Sequence, residues 1–194
     1  MGATMSGNWI KLVPVDPRYI PDRARQVRAM IRFAEIAPNA EIDAGHCETV
    51  KFFDCGANFK QVRCPACGEQ VAVEWWQDRM DKDSGEGFQL AAYELPCCKT
   101  KCTLNDLVYD WPQASGKFVL GAINSNIKTL KDEHKSELED ILATKLRVVY
   151  QHLWSAAGQS VADDRAGMTV FRATTFLAAG SASERRCSVT KRDN

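Results

Sequence analysis

Apolar and polar positions change period several times along this chain, and each change marks an element. From Asn8 to Ile20, "NWIKLVPVDPRYI" alternates apolar with polar residues around Pro14 and Pro17, which predicts a short edge strand or an extended arm. The next run, "PDRARQVRAMIRFAEIAP", switches to helical spacing. Ala24, Val27, Ile31 and Ala34 recur every three or four residues, Pro21 suits a first helical position, and Asp22 complements the helix dipole. Arg25, Arg28 and Arg32 fall on a neighbouring face, expected to be a solvated rim in preference to an anion-binding stripe.

The middle of the chain reads as short strands. Glu48 to Asp54 is rich in β-formers, Cys64 to Gly68 form a turn, and "VAVEWWQDRMDKD" starts extended and becomes a short helix through Trp75 and Trp76. Phe88 to Leu95 and "GKFVLGAIN" predict two further strands. From Lys131 to Trp154 a continuous apolar face, Leu138, Ile141, Leu142, Leu146, Val149 and Leu153, predicts a long C-terminal helix. Asp132 and Glu133 near its start, with Lys145 and Arg147 later, follow the charge order that the macrodipole favours. No internal repeat is evident. After Trp154 the texture turns to Ala, Ser, Gly and Thr, and only "MTVFRATTFLAA" carries apolar content. The pattern therefore predicts an α+β domain over residues 1–154, with antiparallel strands, an N-terminal helix and a long C-terminal helix. Residues 155–194 are expected to be a weakly packed or disordered extension.

Composition narrows the function classes. The chain has 194 residues and a formal net charge of zero, so no global basic excess favours non-specific binding to nucleic acid or anionic lipid. No apolar run reaches bilayer length, and no secretory signal is visible at the N-terminus, so a cytoplasmic location and no membrane partner are expected. Gly2 and Ser6 match the loose pattern for N-myristoylation. Eight cysteines in a reducing compartment point to metal in preference to disulfides.

Five of those cysteines are clustered. "CPACG" places Cys64 and Cys67 two residues apart, so one tight turn presents both sulfurs to a tetrahedral zinc ion. Pro65 stiffens that turn, and Gly68 permits its geometry. About thirty residues later "LPCCKTKC" supplies Cys97, Cys98 and Cys102. Cys97 with Cys98, Cys97 with Cys102, and Cys98 with Cys102 are all possible second pairs, the latter two needing only an ordinary loop. Cys47 and Cys55 flank an apparent strand and are expected to be buried small hydrophobes. Cys187 reads as a spare thiol.

Taken together, "CPACG", "WWQDRM", "LPCC" and "LNDLVYDWP" resemble the motifs of small bacterial zinc-ribbon proteins that share CxxCG, a "PCC" group and an "SLNDL-YDWP" run. The resemblance covers most of Trp9 to Trp154. It implies one structural zinc held by Cys64, Cys67, Cys97 and Cys98, because the position matching Cys102 is not typically cysteine in that group. No established activity comes with it.

Three functions compete. The first is a non-catalytic protein-interaction module, of the kind a bacterial immunity or antitoxin-like protein would be, with another protein as partner. Neutral charge, an acidic patch at Asp78, Asp81, Asp83 and Glu86, and missing catalytic motifs favour it. The second is a nucleic-acid-binding ribbon using Lys60, Arg63, Lys99 and Lys101, extended by the arginines of the first helix. The third is an enzyme using Glu48, His46 or the acidic loop, a zinc-dependent hydrolase or a deaminase, the latter suggested by His46 and Glu48 ahead of CxxC. The deaminase fits poorly, since the proline of that motif precedes the cysteine pair whereas Pro65 lies inside it. Trp75, Trp76, Tyr109 and Trp111 are expected to build a small core, Trp111 with Pro112 packing over the metal turns.

Overall fold

The computed structural model describes residues 6–154 and 169–172; Gly2, Cys187 and the remainder of 155–194 lie outside them. In chain order the elements are β1 (Ser6–Pro14), α1 (Arg23–Ile36), β2 (Glu41–Phe53), β3 (Val62–Arg63), β4 (Gln70–Val71) and α2 (Val73–Ser84). They continue with β5 (Tyr93–Glu94), β6 (Lys101–Cys102), a 3-10 turn (Leu104–Asp106), β7 (Val108–Tyr109), β8 (Ala114–Ile123), α3 (Asp132–Leu142), β9 (Leu146–Trp154) and β10 (Thr169–Arg172).

Four long strands and the short β10 form one antiparallel sheet in the order β10-β2-β8-β1-β9. Alternation gives it two faces. Ile10 and Leu12 of β1, Ile42 and Ala44 of β2, Phe118, Leu120 and Ala122 of β8, and Leu146 of β9 share the face that α1 and α3 cover with Ala29, Met30, Phe33, Leu138 and Leu142. Arg32 ties the two helices, reaching Glu137 at 2.6 Å. On the opposite face Val13, Phe53, Ala114, Val119 and Val149 form a smaller apolar cluster. Lys11 is buried there, its ammonium 5.0 Å from the centre of the Trp9 ring.

The α+β class with antiparallel strands agrees with the apolar pattern, but several elements do not. The expected long C-terminal helix is two elements. Helix α3 stops at Ala143, which is left-handed at φ 55°, and Thr144 N donates to Glu139 O at 3.1 Å. The second element, "LRVVYQHLW", is strand β9. Leu146 and Val149 do recur at helical spacing, but Val148 and Val149 are β-branched and both faces of β9 meet apolar surface, so the run fits a two-sided strand equally well. Strand β1 pairs on both sides and is not an edge; Pro14 ends it.

Helix α1 is present, but its core face is Gln26, Ala29, Met30 and Phe33. The stripe expected to be buried contains Val27 and Ile31, which are exposed at 40% and 56%. Pro21 precedes the cap: Asp22 is the N-cap, its carboxylate accepting from Arg25 N at 2.9 Å. Of the run Phe88 to Leu95, only Tyr93 and Glu94 are strand. Within the expected extension, Thr169–Arg172 pair with β2. No helix among the described residues is long and apolar enough to cross a membrane.

Candidate metal centre

Two short hairpins, inserted between β2 and β8, carry the clustered cysteines. In the first, β3 and β4 flank "CPACG". Cys64 N donates to Glu69 O at 2.9 Å, Gly68 N donates to Cys64 O at 3.0 Å, and Gly68 sits at φ +75°, where glycine carries no Cβ penalty. Backbone amides of Ala66 and Cys67 point at Cys64 Sγ, 3.3 and 3.4 Å away. Amides placed this way stabilise a thiolate, the form that binds metal.

The second hairpin, β5 and β6, repeats the same turn. Leu95 N donates to Thr100 O at 2.9 Å, Lys99 N donates to Leu95 O at 3.0 Å, and Lys99 is left-handed at φ 61°. "LPCCKT" thus matches "CPACGE" position for position. Leu95 takes the place of Cys64 and is fully buried, Pro96 matches Pro65, Cys98 matches Cys67, and Cys97 stands where the first turn has Ala66. This internal repeat was not evident in the sequence because its diagnostic first cysteine is leucine and its glycine is lysine. It also explains how neighbouring cysteines serve one metal. The turn curls between its third and fourth positions, so both side chains lie on one side, unlike neighbours in a strand.

The four sulfurs of Cys64, Cys67, Cys97 and Cys98 lie within 4.8 Å of one another. Cys64 and Cys98 are 3.6 Å apart, Cys67 and Cys97 3.5 Å, and Cys97 and Cys98 3.9 Å. A tetrahedral ion about 2.3 Å from each sulfur requires edges of about 3.8 Å. A disulfide requires about 2.0 Å, and the described cysteines form none. The group can therefore hold a metal ion through four thiolates. Hydrogen bonds of the Thr100 hydroxyl and backbone, and contact with Cys64, pull the Cys98 thiol down to about 6, which favours the thiolate. Desolvation by the crowded turns, with contributions from Cys67, Cys64 and Cys98, pushes the Cys97 thiol up to about 12.

Cys102 is not in the cluster. It lies on β6 opposite Tyr93 and packs beneath the turns with Val62, Val71, Leu95, Leu104 and Leu107. Burial raises its thiol to about 11, so it stays a neutral small hydrophobe. Cys47 and Cys55 are buried away from the cluster, as expected, and Gln113 Nε2 donates to Cys55 Sγ at 3.4 Å. No histidine belongs to the cluster, and His46 pairs across the main sheet with Phe118.

Phe59, Trp75, Trp76, Met80 and Tyr93 complete the apolar floor under the turns. Phe59 and Trp76 stack at 5.1 Å, and Trp76 Nε1 donates to Tyr109 OH at 3.1 Å. Trp111 is not part of that floor and lies in a separate cleft. Asp83, expected in a solvated acidic patch, is instead only 1% exposed. Its carboxylate accepts from Leu90 N and Ala91 N at 3.0 Å each and from Tyr93 OH at 3.3 Å, shaping the approach to the second turn.

"LNDLVYDWP" is the joint between this unit and the main sheet. Thr103 and Asp106 close the 3-10 turn as a capping box, and Tyr109 OH donates to Leu104 O at 2.8 Å. Asn105 Oδ1 accepts from Ser115 N of β8 at 2.8 Å. Arg147 of β9 donates through Nη1 to Asn105 O, Asn105 Oδ1 and Gln113 O, at 3.0, 3.1 and 2.9 Å. Arg147 gave no sequence signal beyond its charge, because its partners lie far away along the chain. No family model, curated protein or solved structure matches this chain.

Proposed function

We propose that this protein is a non-catalytic protein-interaction module whose two cysteine turns form a zinc ribbon around one structural zinc ion. The observation that supports this reading is the closed sulfur set. Four thiolates at tetrahedral spacing fill the coordination of zinc and leave no position for a reactive water. An iron ion suits four thiolates too, and metal analysis separates the two.

Charge around the turns favours protein over nucleic acid as partner. Arg63 faces Asp110 at 3.6 Å and Lys99 faces Glu94 at 3.8 Å, so half of the proposed basic patch is already neutralised. On α1, Arg25 pairs with Asp22, and Arg32 with Glu35 and Glu137. Val108, 51% exposed on β7 and paired with Arg63 of β3, marks the rim beside the ribbon where the proposed contact can be probed. The module would present this rim to a protein, as an immunity or antitoxin-like protein does.

The test is metal content together with co-purification of the full chain. One zinc per chain and a stoichiometric protein complex, lost in Val108→Glu with zinc retained, is the expected result. A metal-bound exchangeable water, or a salt-steep affinity for nucleic acid without a protein complex, would replace this reading.

A further inference from the structure

A second feature shares no residue with the sulfur cluster. At the β9 edge of the main sheet, the turn after β2 folds over the strand. Ala57 N donates to His152 O at 3.0 Å, and Asn58 Nδ2 donates to Tyr150 O at 3.1 Å. Gly56, at φ +60°, is needed for that approach, since a Cβ would run into the His152 carbonyl. Between this turn, the start of β1, the loop after β8 and Trp111 lies a cleft of about 380 Å³, within the range of small-molecule sites.

Its lining has a definite chemistry. Trp9, Trp111 and Tyr150 supply aromatic surface. Asn8, Asn58, Asn126 and Gln151 supply amides. Three of them are already engaged through one atom: Asn8 Oδ1 with His152 Nδ1, Asn58 Nδ2 with Tyr150 O, and Gln151 Nε2 with Asp54 Oδ1. Lys128 supplies a positive charge, and among the described residues no carboxylate lines the cleft.

We propose that this cleft binds a mononucleotide. A heterocycle matches the lining in two ways: its face stacks on indole or phenol, and its edge pairs with asparagine or glutamine amides. The Lys128 ammonium takes the phosphate, and a lining without carboxylates leaves an anion unopposed. Trp111 thereby acquires a role that packing over the metal turns does not give it.

The test is calorimetric titration of the full chain, metal-loaded, with adenosine, guanosine, cytidine and uridine monophosphates. Adenosine and ribose 5-phosphate serve as the two half-ligands. Expected results are saturable binding of at least one monophosphate and weaker binding of its nucleoside. Trp111→Ala should weaken it roughly tenfold, the cost of one stacking partner. Lys128→Ala, on an exposed side chain, should remove the preference for monophosphate over nucleoside while leaving nucleoside affinity unchanged. Failure of all four monophosphates to bind overturns the proposal, as does ribose 5-phosphate binding as tightly as the nucleotide. Zinc content unchanged in both variants keeps this result separate from the fate of the metal centre.

Discussion

Two backbone turns hold the four clustered sulfurs, a pair on each, so single substitutions should divide sharply. Cys98→Ser removes a thiolate that the turn has positioned and that Thr100 supports, and the protein should no longer retain one metal ion per chain through gel filtration. Cys102→Ser should retain it, at about 1–2 kcal/mol of stability for placing a hydroxyl in an apolar floor. Elemental analysis of the two variants checks the assignment; metal lost only from Cys102→Ser would reverse it. Glu139 is the other decisive side chain. Burial raises its carboxyl, but hydrogen bonds from Lys145 at 2.6 Å and Leu146 N at 2.9 Å outweigh this and hold it below the ordinary glutamate range. A depressed folded value means stability that is present above the unfolded glutamate range and lost as pH falls through the folded one. Glu139→Gln should therefore cost about 1–3 kcal/mol at neutral pH, with the gap to the parent closing in acid, as read by urea denaturation across pH.

At the scale of elements, one guanidinium nitrogen joins the metal unit to the sheet. Burial lowers Arg147, but three carbonyl-type acceptors surround its Nη1, two of them main-chain. Arg147→Met keeps the stem and takes the donor from Asn105 O and Gln113 O, while Asn105 Oδ1 keeps Ser115 N, which should destabilise the fold by about 2–4 kcal/mol. A double-mutant cycle with Asn105→Ala should show coupling, and strict additivity would refute the joint. The same joint explains why "LNDLVYDWP" is conspicuous in the sequence without revealing its role: its Asn, Tyr and Asp serve a turn whose anchor lies on β9. Elements misjudged from sequence share a cause. The apolar run of β9 satisfies two periods, and α1 places Gln26 in the core while Val27 and Ile31 face out. Only the neighbouring surfaces choose between such readings.

For the whole molecule, the two apolar clusters predict separable stability. The helix-covered sheet holds its own core, whereas the unit under the turns has a small floor and should depend on the metal ion its four cysteines can hold. Chelation should abolish the near-ultraviolet signal of Trp75 and Trp76 and leave most far-ultraviolet signal from the sheet and helices. A single cooperative loss of both would show that the joint is stronger than the metal dependence.

Sequence by itself determined the first metal turn, since "CPACG" carries its ligands, its proline and its glycine within five positions, and local backbone geometry suffices to present both sulfurs. It also determined the α+β class, because alternation and helical spacing are local. Which two of Cys97, Cys98 and Cys102 join the first pair was decided by tertiary structure. There "LPCC" adopts the same turn without the first cysteine, and the β5–β6 pairing turns Cys102 into the floor. The end of α3, the central place of β1 and the cleft beside Trp111 were decided the same way. Each depends on surfaces that meet only after residues far apart in the chain have packed.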